Sequence, residues 1–157
     1  LITITGGKWT TFRRMAQDTV NKAISLGKLP KKECKTTDLK IHGAKENPDL
    51  SNHLYIYGSD QPEIQNLINE DSSLGEKLHP RLDFLKAEVV FAARHELART
   101  VDDVLARRVR MLFMDAKAAI ESAPEVAALL AKELGKDEAW KEKQVADFKE
   151  IAKHYTI

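Results

Sequence analysis

The run Phe84-Leu85-Lys86-Ala87-Glu88-Val89-Val90-Phe91-Ala92-Ala93-Arg94-His95-Glu96-Leu97, continuing as Ala98-Arg99-Thr100-Val101-Asp102-Asp103-Val104-Leu105-Ala106-Arg107-Arg108, decides the fold class. Phe84, Leu85, Val89, Val90, Ala93 and Leu97 recur at three- and four-residue steps, which predicts a long helix with one apolar face. Thr100, three residues before Asp103, reads as a start signal resembling a capping box. A further helix is predicted through Val109, Leu112, Phe113, Ala116 and Ile120, broken and restarted at Ser122-Ala123-Pro124-Glu125 with Ser122 as cap. The next runs from Val126 to Leu134 and stops at Gly135, and a last one carries Trp140, Val145, Phe148, Ile151 and Ala152. Upstream, Asp60 is placed to cap a helix with Pro62 and Glu63 in its first turn and Ile64, Leu67 and Ile68 on its core face. Residues 60–157 are therefore expected to form a compact helical bundle, and the chain is mainly α.

Residues 1–59 follow a different pattern. Leu1-Ile2-Thr3-Ile4-Thr5 is β-branched and apolar and predicts a short strand, broken by Gly6-Gly7. Phe12, Met15, Ala16, Thr19, Val20, Ala23 and Ile24 then line one face of a helix that Gly27 should stop. Residues 1–27 thus read as strand, glycine turn and helix. Pro30, Gly43, Pro48 and Gly58 argue against long helices in residues 28–59, which read as a linker. The chain opens on Leu1, inside the strand-like run, as an excised piece of a longer protein would. The apolar face of 1–27 is then expected to pack on the bundle or on a second copy, which makes a homodimer a candidate assembly.

With 157 residues, 43% of them hydrophobic and 31% charged, the chain is long enough to bury a core without metals or disulfides. A net charge of +1 offers no global field for nucleic acid. Cys34 is the only cysteine, so no intrachain disulfide forms, and a reducing, cytoplasmic setting is expected. No stretch approaches the roughly 20 apolar residues of a membrane span.

The chemistry concentrates at Thr5-Gly6-Gly7-Lys8-Trp9-Thr10-Thr11-Phe12-Arg13. Adjacent glycines let backbone approach a ligand closely, and a helix N-terminus offers free N–H groups and partial positive charge. Lys8 adds a full charge, so the turn suits an anion or an electron-rich ring edge. It lacks the spacing of a phosphate-binding P-loop, and an ordinary turn with a solvated lysine stays open as the alternative. Arg94, Arg99, Arg107, Arg108 and Arg110 allow a rival reading as a helix-turn-helix that binds nucleic acid. Interleaved Glu88, Glu96, Asp102, Asp103 and Asp115 count against it and favour internal salt bridges or a surface for docking another domain. A purely structural interaction module is the third reading. His42, His53, His79, His95 and His154 show no metal-ligand spacing, so no metal site is expected. Adjacent Asp102 and Asp103 suit a helix start, and Met111-Leu112-Phe113-Met114 suits the core, with Met114 open to facing a partner.

Gly6-Gly7-Lys8-Trp9-Thr10-Thr11-Phe12-Arg13, with Met15-Ala16 and Asp18-Thr19-Val20, resembles the signature near the end of the flavin domain in FAD-dependent glycerol-3-phosphate dehydrogenases. Ala93 through Arg108, continued by Arg110, Leu112-Phe113, Asp115-Ala116, Ala123-Pro124 and Glu133-Leu134-Gly135, resembles that family's C-terminal helical domain. The resemblance implies that residues 1–27 end an FAD-binding domain and that 60–157 form its helical cap domain. It implies an enzyme that oxidises sn-glycerol 3-phosphate to dihydroxyacetone phosphate, reduces FAD and passes electrons to quinone. Gly7, Lys8, Trp9 and Thr10 would then sit at the flavin, their N–H groups and Lys8 facing its N1–C2=O side, with Trp9 giving backbone and shape. No G-x-G-x-x-G occurs here, so the dinucleotide cradle is expected in an N-terminal FAD and substrate domain of the same parent chain, where the resemblance also implies the family's substrate-binding arginines and histidine candidate. The fragment alone is expected to be inactive and to hold no FAD, and the parent to lie peripherally on the inner face of the cell membrane.

Overall fold

A computed structural model describes residues 1–156 and divides the chain into two compact units, Leu1–Ala44 and Lys45 onward. The first unit is organised by a single helix. A 3₁₀ turn at Trp9–Thr11 leads into α1, Phe12–Gly27. The helix ends at Gly27, where a stop was expected, but it is Lys28 that adopts the left-handed conformation (φ 51°), with its N–H bonding the Ile24 and Ser25 carbonyls. Residues 1–8 have no regular secondary structure, so the strand expected over 1–5 is not formed. The reason is elementary: a strand is held by ladder bonds to a neighbour, and the described residues contain no other strand, only an isolated bridge between Lys77 and Leu85.

The second unit is helical. A 3₁₀ segment at His53–Asp60, kinked at Gly58, leads into α2, Gln61–Glu70. Leu54 and Tyr57 are buried, so this part of the expected linker belongs to the helical unit, which begins at Lys45. Pro62 sits in the first turn of α2 as expected, whereas Asp60 makes no side-chain cap, because the preceding 3₁₀ turn runs straight into the helix. Asp71 caps the next 3₁₀ turn, Ser72–Gly75, by accepting the Ser73 N–H at 3.0 Å. α3, Lys86–His95, is shorter than the pattern from Phe84 to Leu97 implied. At its end Leu97 turns left-handed (φ 58°), and the Ala98 N–H returns to the Ala92 carbonyl at 2.9 Å. The Thr100 start signal is fulfilled on both sides: Asp103 N–H donates to Thr100 Oγ1 at 3.1 Å, and Asp103 Oδ2 accepts the Thr100 N–H at 3.0 Å.

The chain then departs from the expected single helix over 109–120. Asp103–Arg108 is a π-helical turn, Arg110 is left-handed, and a one-turn helix α4, Met111–Met114, ends at Asp115. Asp115 accepts the Ala118 N–H at 2.9 Å and starts α5, Ala116–Leu134. Pro124 lies inside α5, so Ser122-Ala123-Pro124 neither breaks nor restarts it. Ser122 is not a cap; it is buried and donates its hydroxyl to the Leu78 carbonyl at 3.2 Å. Proline costs a helix one hydrogen bond and some strain. The burial of Ala118, Ala119, Ala123, Val126, Ala127 and Leu130 on both sides of it outweighs that cost. Gly135 (φ 62°) ends α5 in the left-handed conformation that glycine adopts without penalty. Asp137 caps α6, Glu138–Ala152, by accepting the Trp140 N–H at 2.9 Å.

The main core joins α3, the π turn, α4, α5 and α6 around Val101, Val104, Leu105, Met111, Val126, Leu130 and Phe148. A second cluster gathers Leu54, Tyr57, Ile64, Leu67, Leu74 and Phe91. The expected core stripe 111–114 splits, with Met111 and Leu112 buried and Phe113 and Met114 exposed, since a one-turn helix has a single inward face. Among the described residues no helix is long and apolar enough to cross a membrane. Phe148 is 1% exposed between α5 and α6, so Phe148→Ala should lower unfolding free energy by about 3–5 kcal/mol in urea denaturation.

Candidate functional site

The Gly6-Gly7 turn is built by the residues that follow it. Both glycines have positive φ, 80° and 89°. A Cβ on Gly7 would stand 2.1 Å from Met15 Sδ, the mobile end of a long side chain that can swing aside, so it is the φ of 89° that calls for glycine here. Gly6 has nothing within 4 Å of its Cβ position, and this side of the turn is open. Lys8 is the N-cap residue of the 3₁₀ turn, and Thr11 secures it: Thr11 Oγ1 accepts the Lys8 N–H at 2.9 Å and lies 2.9 Å from the Lys8 carbonyl. Thr11 therefore does the capping. The N–H groups of Trp9 and Thr10 open the helix and have no intrahelical acceptor by position. Trp9 is 88% exposed, with its ring 5.7 Å from that of Phe12.

Gly7, Lys8, Trp9 and Thr10 thus form one exposed corner with free N–H donors, an ammonium group and an indole face. That donor set fits the electron-rich edge of a flavin ring: it offers hydrogen bonds and positive charge and no carboxylate. Arg13 belongs to the scaffold. Its Nη1 donates to Gln17 Oε1 at 3.0 Å and to Thr36 Oγ1 at 3.4 Å, tying α1 to the segment after it.

In the second unit the arginines are largely spent within the fold. Arg94 makes a two-pronged pair with Glu133, at 2.6 and 2.9 Å, that clamps α3 to α5. Arg99 donates to the Ala93 and Ala98 carbonyls, at 3.0 and 2.7 Å, at the end of α3. Arg107 pairs with Asp102, and Arg108 donates to the Asp103 and Glu96 carbonyls at 3.0 and 2.5 Å. Arg110 lies over the Phe113 ring at 5.9 Å. A helix-turn-helix reader needs such side chains free to meet phosphates and bases.

Sequence reading missed a buried carboxylate. Glu88 is fully buried, and its oxygens accept the Leu85 N–H at 2.6 Å and the Tyr57 hydroxyl at 2.9 Å and lie 3.1 Å from His53 Nε2. Its position three residues after Leu85, at the head of an apolar run, is the signature of an acid that caps a helix start. Nothing in the pattern announced His53, 35 residues upstream. Burial pushes the Glu88 carboxyl above its usual range, against the opposing pull of these hydrogen bonds. His79 is likewise structural: Nδ1 accepts the Arg81 N–H at 3.2 Å, which leaves Nε2 to donate to Glu121 at 2.7 Å. No group of three residues able to hold a metal ion occurs among the described residues.

These environments predict opposite pH responses. Burial raises the Asp103 carboxyl, but the Arg99 and Thr100 N–H groups outweigh it and leave it below its reference of 3.8. The stability Asp103 gives is complete above that reference and lost as pH falls through the depressed folded value. Glu88, raised from 4.5, works the other way: its contribution declines as pH climbs from that reference through the folded value. Urea midpoints measured from about pH 6 to about pH 2.5 should fall less for Asp103→Asn than for the parent chain, and Glu88→Gln should remove the decline on the alkaline side.

The family described as the C-terminal domain of alpha-glycerophosphate oxidase matches residues 2–141. The chain is 34% identical to the mitochondrial glycerol-3-phosphate dehydrogenase of Arabidopsis thaliana over 96% of its own length and 29% of that protein. It is 36% identical to a probable mitochondrial glycerol-3-phosphate dehydrogenase of Caenorhabditis elegans over 86% of the chain and 22% of that protein. The corresponding Rattus norvegicus enzyme is 33% identical over 92% of the chain and 23% of its own length. The chain therefore spans less than a third of these relatives, and no solved structure matches it. With the match running through both the glycine turn and the helical unit, the chain belongs to the family of alpha-glycerophosphate oxidase C-terminal domains that glycerol-3-phosphate dehydrogenases share.

Proposed function

We propose that this chain works as the C-terminal region of an FAD-dependent glycerol-3-phosphate dehydrogenase, joined to an N-terminal domain that holds FAD and substrate. The observation that carries this reading is the exposed Gly6-Gly7-Lys8 corner, open on the Gly6 side and opening a helix with unsatisfied N–H donors. FAD would supply the hydride acceptor for the oxidation of sn-glycerol 3-phosphate to dihydroxyacetone phosphate. The residues of this chain would supply electrostatics. Lys8 and the N–H groups of Trp9 and Thr10 would hold the N1–C2=O edge of the ring, where their positive charge would favour electron density. Gly7 provides the φ of 89° that turns the backbone into that corner. The helical unit caps the flavin-bearing part, the electrons leave to a membrane quinone, and the whole enzyme sits peripherally on the inner face of the cell membrane. Residues 1–157 alone are inactive, because no dinucleotide-binding glycine motif lies within them.

The test uses the full-length polypeptide, glycerol 3-phosphate and an artificial electron acceptor. Lys8→Ala should lower kcat on the order of 100-fold, with KM for glycerol 3-phosphate little changed and bound flavin retained. Unchanged turnover with full flavin content would remove Lys8 from the site.

A further inference from the structure

Several oddities of the helical unit meet at one place that neither the core nor the glycine corner uses. Ile56, Tyr57, Glu96, Arg107 and Arg108 line a cleft of about 180 Å³. At its edge, next to Glu96, Leu97 holds a left-handed backbone (φ 58°) with its side chain 72% exposed. A branched side chain is strained in that conformation, and among the described residues of its own unit none buries it in return. Ile56, 54% exposed, is a second unshielded aliphatic residue of the same surface. Glu96 is unsettled too: Oε2 receives no hydrogen bond among the described residues, and Arg108 Nε stays 4.0 Å away. Its side chain is a third exposed, so rotation about the last bond brings either oxygen to an incoming donor. The π-helical turn that presents Arg107 and Arg108 is a backbone form that recurs at functional sites.

Charge says what kind of partner fits. Asp102 and Asp103 pair with Arg107 and Arg108, and Arg108 also donates to the Asp103 and Glu96 carbonyls, so these charges are met within the unit. What is left over is Glu96 Oε2, which calls for a donor, together with apolar side chains that call for cover. Size says where it comes from, because the matched relatives devote 22–29% of their length to this region and the rest of each lies outside it.

We propose that the Ile56–Glu96–Leu97 surface is the face on which the helical unit receives the flavin-bearing remainder of its own polypeptide, through a segment that places a lysine, arginine or backbone N–H donor on Glu96 and an apolar side chain against Leu97 and Ile56. This rests on the reading that the chain is one region of a longer dehydrogenase. Docking explains why an exposed leucine occupies a position that glycine would hold without strain: the side chain is there for the partner.

Thiol labelling tests it. In a Cys34→Ser background, Leu97→Cys and, as a control on the outer face of α6, Lys143→Cys are made both in the 157-residue chain and in the full-length polypeptide. Iodoacetamide should modify position 97 at least about tenfold more slowly in the full-length form, with position 143 reacting alike in both. Equal rates at 97, or the same slowing at both positions, in a polypeptide that carries flavin would overturn the docking face and leave the flavoenzyme reading standing. A full-length polypeptide that binds no flavin and oxidises no glycerol 3-phosphate would sink both.

Discussion

The alanine face of α5 is the constraint on which the rest of the helical unit depends. Ala118, Ala119, Ala123 and Ala127 are fully buried along this helix, and Ala131 nearly so. Side chains this small let neighbouring helices approach closely, so α3, α4 and α6 all pack on α5 while larger residues such as Met111, Val126, Leu130 and Phe148 fill the gaps. Interiors are close-packed, and a bulkier residue at any of these alanines would displace a whole helix. The same dense packing explains why Pro124 is tolerated mid-helix: the helix is held from outside along both flanks of the proline, so one missing backbone bond does not open it.

Around that core, charge is used to finish helices more than to decorate a surface. Asp71, Asp103, Asp115 and Asp137 each accept backbone N–H groups at the starts of helical elements, and Glu88 does the same from a fully buried position. The arginines close the opposite ends, Arg99 and Arg108 by donating to carbonyls left free where α3 and the segment after it stop. A near-neutral protein with many charges thereby commits several of them to specific backbone groups. What stays unspent, at Glu96 and beside Leu97, stands out against that economy.

The two units carry different kinds of function. The first presents an exposed corner, in which Lys8 and the opening N–H groups face solvent and a φ of 89° calls for glycine at position 7. The second offers shape and stability, with titratable groups that are structural. His53 and Tyr57 serve Glu88, and His79 serves the turn at Arg81. Residues that lend themselves to catalysis elsewhere are here held by the fold.

The sequence by itself determined the helical class, the end of α1 at Gly27, the Thr100–Asp103 start, the Gly135 stop and the composition of the glycine corner, because each depends on local spacing, caps and backbone freedom. Tertiary structure alone decided the remainder. Residues 1–5 have strand-forming side chains but no neighbour to pair with, so propensity produced no strand. Leu54 and Tyr57, which read as linker, became core because α2 and α3 cover them. Ser122 looked like a cap until burial beside Leu78 gave its hydroxyl another acceptor. Glu88 and His53 meet only because folding brings together positions 35 residues apart. Local chemistry fixes how a segment can begin, bend and end, whereas which face is buried, and which polar group finds which partner, depends on neighbours that only the folded chain supplies.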